Sequence, residues 1–511
     1  MKINMNTIKL IMLGLVLVCI ANIAGAQTLP DFRLPAKSFF KQSSDFKDGK
    51  KVFAWYQMGC GAFADMGAPR DLQLAGLKAE MLMARSMGID GFAVDYMGPK
   101  PEYHPYVEAM FQAAQEVSPD FKLFFVFEDI PMYNRAPASS PPPSVEPQDF
   151  VAQVEKYHNH PNYFLVDHRP FVGVYAADAG YLNAADAVKW WSDKLIGPLS
   201  DAGIKIFFVP TTMGGFASPG CSWYSHEAIA RTVPGWGDVA QGQSMWQVQL
   251  SPIGGGIGTL EDYASQLHAA RKTFLSAVST HYWCGSSCSV PSWYWKPGQA
   301  MSPTCVNGSY SEHAGGQGLA AQWESIIDVQ KPEWVMMVTW NDFNESYIEP
   351  IDDYKKYRNG TADAPLGWYK PQAGMDELNR YYIEWYKTGV KPAITADSIF
   401  YSYRTSSVHL KATLDPRPSV RPENGEIQDT LFITTALTAP AELRITSGAV
   451  TTKYVIPAGI HHTLAPFQPG AQDFSLWRNG VKITSVTGEP VVASIDFYDY
   501  WPTTGYVESS R

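Results

Sequence analysis

Beyond residue 26 the chain has no run of about 18 apolar residues, which excludes an ordinary membrane-crossing helix from that part. Charge is scarce, at 18% of residues, and basic side chains are outnumbered 40 to 50. That deficit argues against nucleic acid and anionic membrane surfaces as partners. Cysteine is rare, with 6 in 511 residues. Cys284 and Cys288 are spaced like half a zinc site, but no second ligand pair at such spacing accompanies them. The pair reads as a loop staple, and no metal or other cofactor is expected. There is no glycine-rich phosphate loop, no Gly-x-Ser-x-Gly elbow and no internal repeat.

What is present is apolar and aromatic. Hydrophobic residues make up 45% and aromatics 13%, including 16 Trp and 27 Tyr. Such rings fill a large core, and they also stack on sugar faces. The length suggests two or three domains, one of them able to be a barrel of about 250–400 residues. At the N-terminus, Lys2 and Lys9 lead into the apolar run Leu10 to Ile23, and Ala24-Gly25-Ala26 fits a signal-peptidase site. Residues 1–26 are read as a signal peptide and the mature chain as exported, periplasmic or extracellular. Removing them deletes two positive charges and takes the net charge from −10 to −12. Export licenses disulfides. Cys60, Cys221, Cys284, Cys288 and Cys305 remain; the last three lie close enough in sequence for a local bridge, and the odd count leaves one thiol over.

Along the chain, strand and helix patterns alternate. Strands are expected at Lys51–Met58, Gly88–Tyr96, Phe121–Phe127, Phe171–Ala176, Ile204–Val209, Asp238–Met245, Leu275–Tyr282 and Trp334–Thr339. Helices are expected between them at Asp71–Ser86, Tyr103–Glu116, Gln148–Tyr157, Ala184–Leu195, Leu260–Phe274 and Leu319–Asp328. In the first, Leu74, Leu77, Met81 and Ala84 mark the buried face. The Pro-rich stretch 136–143 reads as an exposed loop, and 284–318 as a long aromatic loop of a kind that often carries function. Repeated alternation predicts a (β/α)8 barrel over residues 27–395. From 396 to 511 the texture changes to short alternating strands with Pro, Gly and Asn turns, which predicts an all-β sandwich.

The most informative stretch is Trp334 to Pro350. A buried apolar strand ends abruptly in Trp340, Asn341, Asp342, Phe343, Asn344, Glu345, Ser346, Tyr347 and Glu349. In parallel α/β folds, sites gather at such strand ends. Asp342 and Glu345 lie three residues apart, and one helical turn there would aim both the same way. Two carboxyl groups flanking one bond are what glycoside hydrolysis needs: one protonates the leaving oxygen, the other activates water or attacks carbon. Glu345 is assigned as acid and Asp342 as base, with the reverse left open. Asp95 and Glu128, at the ends of strands two and three, are candidates to bind sugar hydroxyls or tune the acid. Tyr56, His281, Trp283, Trp340, Asn341 and Tyr347 are candidate substrate-binding residues. Glu349 reads as a rim charge, and Glu312-His313 as a solvated loop pair.

The segment Trp340-Asn341-Asp342-Phe343-Asn344-Glu345-Ser346 resembles the Trp-Asn-Asp-x-x-Glu-Ser motif of glycoside hydrolase family 71, the α-1,3-glucanases or mutanases. Val52-Phe53-Ala54, Gly88 to Val94 and Phe121 to Phe124 are similar to that family's first three strands, in the same order. The resemblance implies a barrel enzyme that cleaves α-1,3-glucan internally, with inversion at the anomeric carbon and with Asp342 and Glu345 as its catalytic pair. Asn344 and Tyr347 stand where the family often has Gly and His, which bears on the sugar more than on the chemistry. Alternatives are an α-mannan or mixed α-glucan hydrolase of the same fold, or a non-catalytic glycan-binding protein.

Overall fold

A computed structural model of the chain describes residues 38–43, 46–47, 49–59, 63–64, 66–98, 102–128, 147–178, 184–212, 226–246, 252, 256–284, 309–311, 313–343, 345–351, 370–413, 421–422, 429–496 and 499–510. The expected signal peptide, the Pro-rich loop, Asn344, Glu312 and the cysteine side chains lie outside these residues.

Eight parallel strands close on themselves. They are β1 (Lys51–Gln57), β2 (Gly91–Tyr96), β3 (Lys122–Phe127), β4 (Arg169–Val174), β5 (Phe207–Thr212), β6 (Gly242–Met245), β7 (Thr273–Val278) and β8 (Trp334–Met337). Each pairs in parallel with its sequence neighbours, and β8 pairs with β1 to shut the ring, Ala54 opposite Met337. The helices between them are α1 (Arg70–Ser86), α2 (Tyr103–Val117), α3 (Pro147–Tyr157), α4 (Ala184–Trp191), α5 (His226–Gly235), α6 (Gly256–Ala269) and α7 (Gly315–Ser325). This is a TIM barrel. Several boundaries differ from the sequence reading: β2 begins at Gly91 rather than Gly88, β5 runs three residues later than expected, β6 begins at Gly242 rather than Asp238, β7 spans Thr273–Val278 rather than Leu275–Tyr282, α6 starts and stops about a turn early, and α5 was not expected.

The interior shows where the aromatics go. Alternate strand residues point inward. Near the amino ends Phe53, Phe124, Phe171, Phe207 and Trp334 form one layer, with successive ring centroids 5.0, 4.5, 6.0 and 5.9 Å apart. At the carboxyl ends Trp55, Tyr175 and Trp246 form a second, each pair of rings 4.8 to 5.4 Å apart. Edge-on packing of this kind adds to the burial energy. The barrel is thus plugged with rings up to the level of its mouth.

A further helix, α8 (Ala373–Thr388), leads into eight antiparallel strands: β9 (Ser398–Arg404), β10 (Thr430–Leu437), β11 (Ala441–Ser447), β12 (Val450–Ile456), β13 (Gly459–Pro466), β14 (Gly470–Arg478), β15 (Val481–Val491) and β16 (Pro502–Glu508). They form two sheets, in the orders β13-β10-β9-β16 and β12-β11-β14-β15. Their facing sides share one core, with Ile399, Ile433, Leu443, Ile445, Phe474 and Leu476 at its centre. The first sheet is covered on its other side by α7 and α8. Glycines permit that approach: a Cβ on Gly316 would sit 2.2 Å from Thr434 Oγ1, and one on Gly374 would sit 2.5 Å from the Gly505 carbonyl. Barrel and sheets belong to one compact unit, Phe32–Arg511.

Candidate active site

The β8 end is built by hydrogen bonds that continue after the regular ladder stops. Trp340 N–H donates to the Trp55 carbonyl at 2.7 Å. The Asn341 side chain then takes the place of a neighbouring strand. Its Oδ1 accepts the Gln57 N–H at 2.7 Å, and its Nδ2 donates to the Gln57 carbonyl at 3.0 Å. Both peptide groups of the β1 terminus are satisfied by one amide. The Thr339 hydroxyl accepts the Asp342 N–H at 2.7 Å and donates to the Ser346 carbonyl. Ser346 Oγ reaches back to the Val338 carbonyl at 3.1 Å.

The local form is a hairpin rather than a helical turn. Asn341–Asp342 pairs antiparallel with Ser346–Tyr347, and Glu345 N–H closes the tip onto the Asp342 carbonyl at 3.0 Å. Asp342 and Glu345 therefore flank one tight turn, and both keep part of their surface exposed. Burial pushes the Glu345 carboxyl well above the ordinary glutamate range, and the negative charges of Asp342 and Glu128 push it further. The Trp246 indole N–H eases that rise, although it forms no hydrogen bond of ordinary geometry. A carboxyl held protonated beside one that is not is the condition for acid–base division of labour.

Asp95 and Glu128 follow the same inward alternation as Trp55, on β2 and just past β3. Glu128 is partly exposed, whereas Asp95 is 2% exposed. Glu128 is brought into the field of Glu345. Trp55, Tyr175 and Trp246 floor the mouth. The sequence reading did not place them in the site, because Trp246 follows the polar strand Gly-Gln-Ser-Met and carries no local signal.

The remaining candidates lie behind the site and are fully buried. Tyr56 alternates outward from Trp55, and its hydroxyl meets that of Tyr106 on α2 at 2.8 Å. Trp340 packs on Phe92 at 5.2 Å, and Asn341 is spent on β1. His281, Trp283 and Tyr347 gather against Trp501 of the C-terminal region, at 5.0, 5.2 and 5.2 Å. Burial, and then neighbouring His313, push His281 down to about 3, so it stays neutral at any working pH. His313 is itself buried, with Nδ1 3.2 Å from Ser279, so it is not a solvated loop residue.

Glu349 is not a rim charge. It is fully buried, anchored by its N–H to the Trp340 carbonyl at 2.8 Å. Its carboxyl meets that of Glu80 on α1, also fully buried, beside the Tyr56 hydroxyl. Glu80 Oε1 accepts the Phe63 N–H at 3.2 Å, while Oε2 finds no donor of ordinary geometry among the described residues. Two carboxyls in contact make a hydrogen bond only when one of them carries a proton. Burial pushes Glu80 up to about 7, and the contact with Glu349 opposes part of that rise.

Among the described residues no cluster of His, Cys, Asp and Glu is arranged to hold a metal, and no helix is long and apolar enough to cross a membrane.

The chain is 26% identical over 436 residues to a glucan endo-1,3-alpha-glucosidase of Schizosaccharomyces pombe, covering 83% of this chain and 88% of that one. It is 24% identical over 463 residues to a mutanase of Penicillium rubens, covering 89% and 88%. Among solved structures, an endo-alpha-mannosidase from Bacteroides thetaiotaomicron aligns with a TM-score of 0.44 at 12% identity, over 66% of this chain and 97% of that one. The model of glycosyl hydrolase family 71 matches residues 48–511, nearly the whole chain, and the protein belongs to that family of glycoside hydrolases.

Proposed function

We propose that the protein is an exported endo-acting α-1,3-glucanase that hydrolyses its substrate with inversion. Glu345 is the general acid and Asp342 the general base. One observation carries this assignment: at the tip of the β8 hairpin two partly exposed carboxyls share a turn, and burial together with the Asp342 charge pushes Glu345 well toward its protonated form. A carboxyl pushed toward its protonated form can protonate the leaving sugar oxygen as the glycosidic bond breaks. Asp342, left ionised, takes a proton from the attacking water. The names of the relatives support the α-1,3-glucan substrate. Glu128 holds the acid protonated by its charge, and Asp95 contributes on the same inward face. Residues 1–26 serve as the export signal, 27–395 as the catalytic domain and 396–511 as a second domain.

The test is a panel of α-1,3-glucan, mixed α-glucan and α-mannan with product chromatography, and NMR of the first anomer released. The expected result is internal cleavage of α-1,3-glucan with release of the β-anomer. Turnover of α-mannan alone would transfer the proposal to the other sugar. Saturable binding without turnover of any glycan would refute catalysis.

A further inference from the structure

The β8 hairpin has two faces. One carries Asp342 and Glu345; the other carries Phe343 and Tyr347, whose rings lie 4.8 Å apart. That second face is not covered by barrel residues alone. Phe343, Tyr347, Ile351 and Trp283 form a small core with Tyr500 and Trp501, which lie just before β16. This core is separate from those of the barrel and the sandwich. Trp501 is 2% exposed and stands edge-on to three rings, those of His281, Trp283 and Tyr347. The Trp283 backbone N–H in turn donates to the Glu345 carbonyl at 2.9 Å. One indole from the C-terminal region therefore backs both sides of the hairpin.

A second connection runs in parallel. The Tyr347 hydroxyl donates to the Lys370 carbonyl at 2.7 Å and accepts the Lys370 N–H at 2.5 Å. Lys370 Nζ reaches across to Glu489 on β15 at 3.0 Å and to Thr405 at 3.2 Å. The ammonium is nearly enclosed, so this ion pair is screened less than one in open water.

We infer that Trp501 is a positioning residue for the catalytic hairpin, and that the C-terminal sheets complete the active site by wedging it from behind. Hydrogen bonds along Thr339, Asn341 and Ser346 fix the base of the hairpin. The Trp501 core fixes its tip. Loss of the wedge leaves an apolar void under Phe343 and Tyr347, into which the tip can tilt. A displacement near 1 Å between catalytic groups and substrate costs about a hundredfold in rate.

The inference rests on the assignment of Asp342 and Glu345 made above, and its test separates the two. Full-length wild type, Trp501→Ala, Trp501→Phe and Glu345→Gln are compared on a soluble α-1,3-glucooligosaccharide, with circular dichroism and Tm for each. Trp501→Ala is expected to stay folded and to lose about a hundredfold in kcat, with KM within about twofold. Its alkaline limb in kcat/KM moves to lower pH, because water admitted behind the tip relieves the burial that keeps Glu345 protonated. Trp501→Phe is expected to recover most of the rate. A folded Trp501→Ala with wild-type kcat and pH profile overturns the inference. Should Trp501→Ala not fold, Trp501→Leu decides it: lowered kcat with a shifted limb supports the wedge, and wild-type kinetics overturns it. An active wild type whose Glu345→Gln is equally active refutes the catalytic assignment instead, whatever Trp501 does.

Discussion

Two pairs of acidic side chains lie on opposite sides of the same short segment. Asp342 and Glu345 face the barrel mouth, and Glu80 and Glu349 face the shell between barrel and helices. In both, burial is the first cause of a raised carboxyl pKa. What differs is access. The first pair keeps exposed surface; the second is fully buried, beside the Tyr56 hydroxyl and the Phe63 backbone N–H. A raised carboxyl is therefore not by itself a sign of catalysis. It marks a place where a proton is held, and the surroundings decide whether that proton can reach a substrate.

The sharpest way to break this comparison is to neutralise one member of each pair. Glu345→Gln and Asp342→Asn are each expected to lower kcat/KM by about 10²–10⁴. Glu80→Gln, measured at pH 5, is expected to keep kcat within about twofold of wild type. If Glu80→Gln proved as inactive as Glu345→Gln, the sealed pair would have to be part of the chemistry.

Stability should respond in the reverse order. Glu80→Ala removes a buried side chain and strands the Phe63 N–H it bonds. Denaturant unfolding is expected to show a loss of about 2–4 kcal/mol. Glu345→Gln, which replaces a protonated carboxyl by a neutral amide of the same shape, should cost little.

The sealed pair also has a pH signature. Glu80 titrates at about 7 in the folded protein, against an ordinary value of 4.5. Between these pH values the folded state holds a proton that the unfolded state has released. Stability therefore falls as pH rises through this window. The contribution is fully present below pH 4.5 and lost above pH 7. In Glu80→Gln the slope of unfolding free energy against pH should be shallower than in wild type. Equal slopes would show that the proton is not shared there.

How much of this could be read in advance depends on what each residue was hidden by. The barrel was legible because runs such as Val52 to Tyr56 and Leu123 to Phe127 are apolar on both faces, and the strand-eight motif was legible because polarity changes within a single residue step. Helix α8 was missed because its buried faces carry Asp376, Glu377, Asn379 and Arg380. Arg380 pairs with Glu377 at 2.6 Å and Asn379 Oδ1 accepts from the Trp323 indole at 2.9 Å, and with polar side chains on the buried faces no apolar stripe marks the helix. Helix α5 contains Pro234, which blurs its period. Glu80 left a trace that went unused: Gln73, Leu77, Glu80 and Ala84 lie on one buried helical face, and a carboxyl on that stripe requires a buried partner. No sequence pattern points from Glu80 to Glu349, because the contact spans the chain from α1 to the end of the barrel.

The finest test distinguishes a charge that assists from a group that reacts. Glu128 stands past the end of β3, partly exposed, and its negative charge is the third contribution holding Glu345 protonated, after burial and Asp342. Replacing it by Gln removes the charge but keeps a polar side chain of the same size. Glu345 then loses its proton at lower pH, so the alkaline limb of kcat/KM should move down, by less than about one unit because an exposed charge is screened. The plateau rate at acidic pH should change little if Glu128 acts only through its field. A collapse of that plateau would instead mean that Glu128 contacts the reacting sugar, and the mouth would then hold three working carboxyls where the sealed site below holds two.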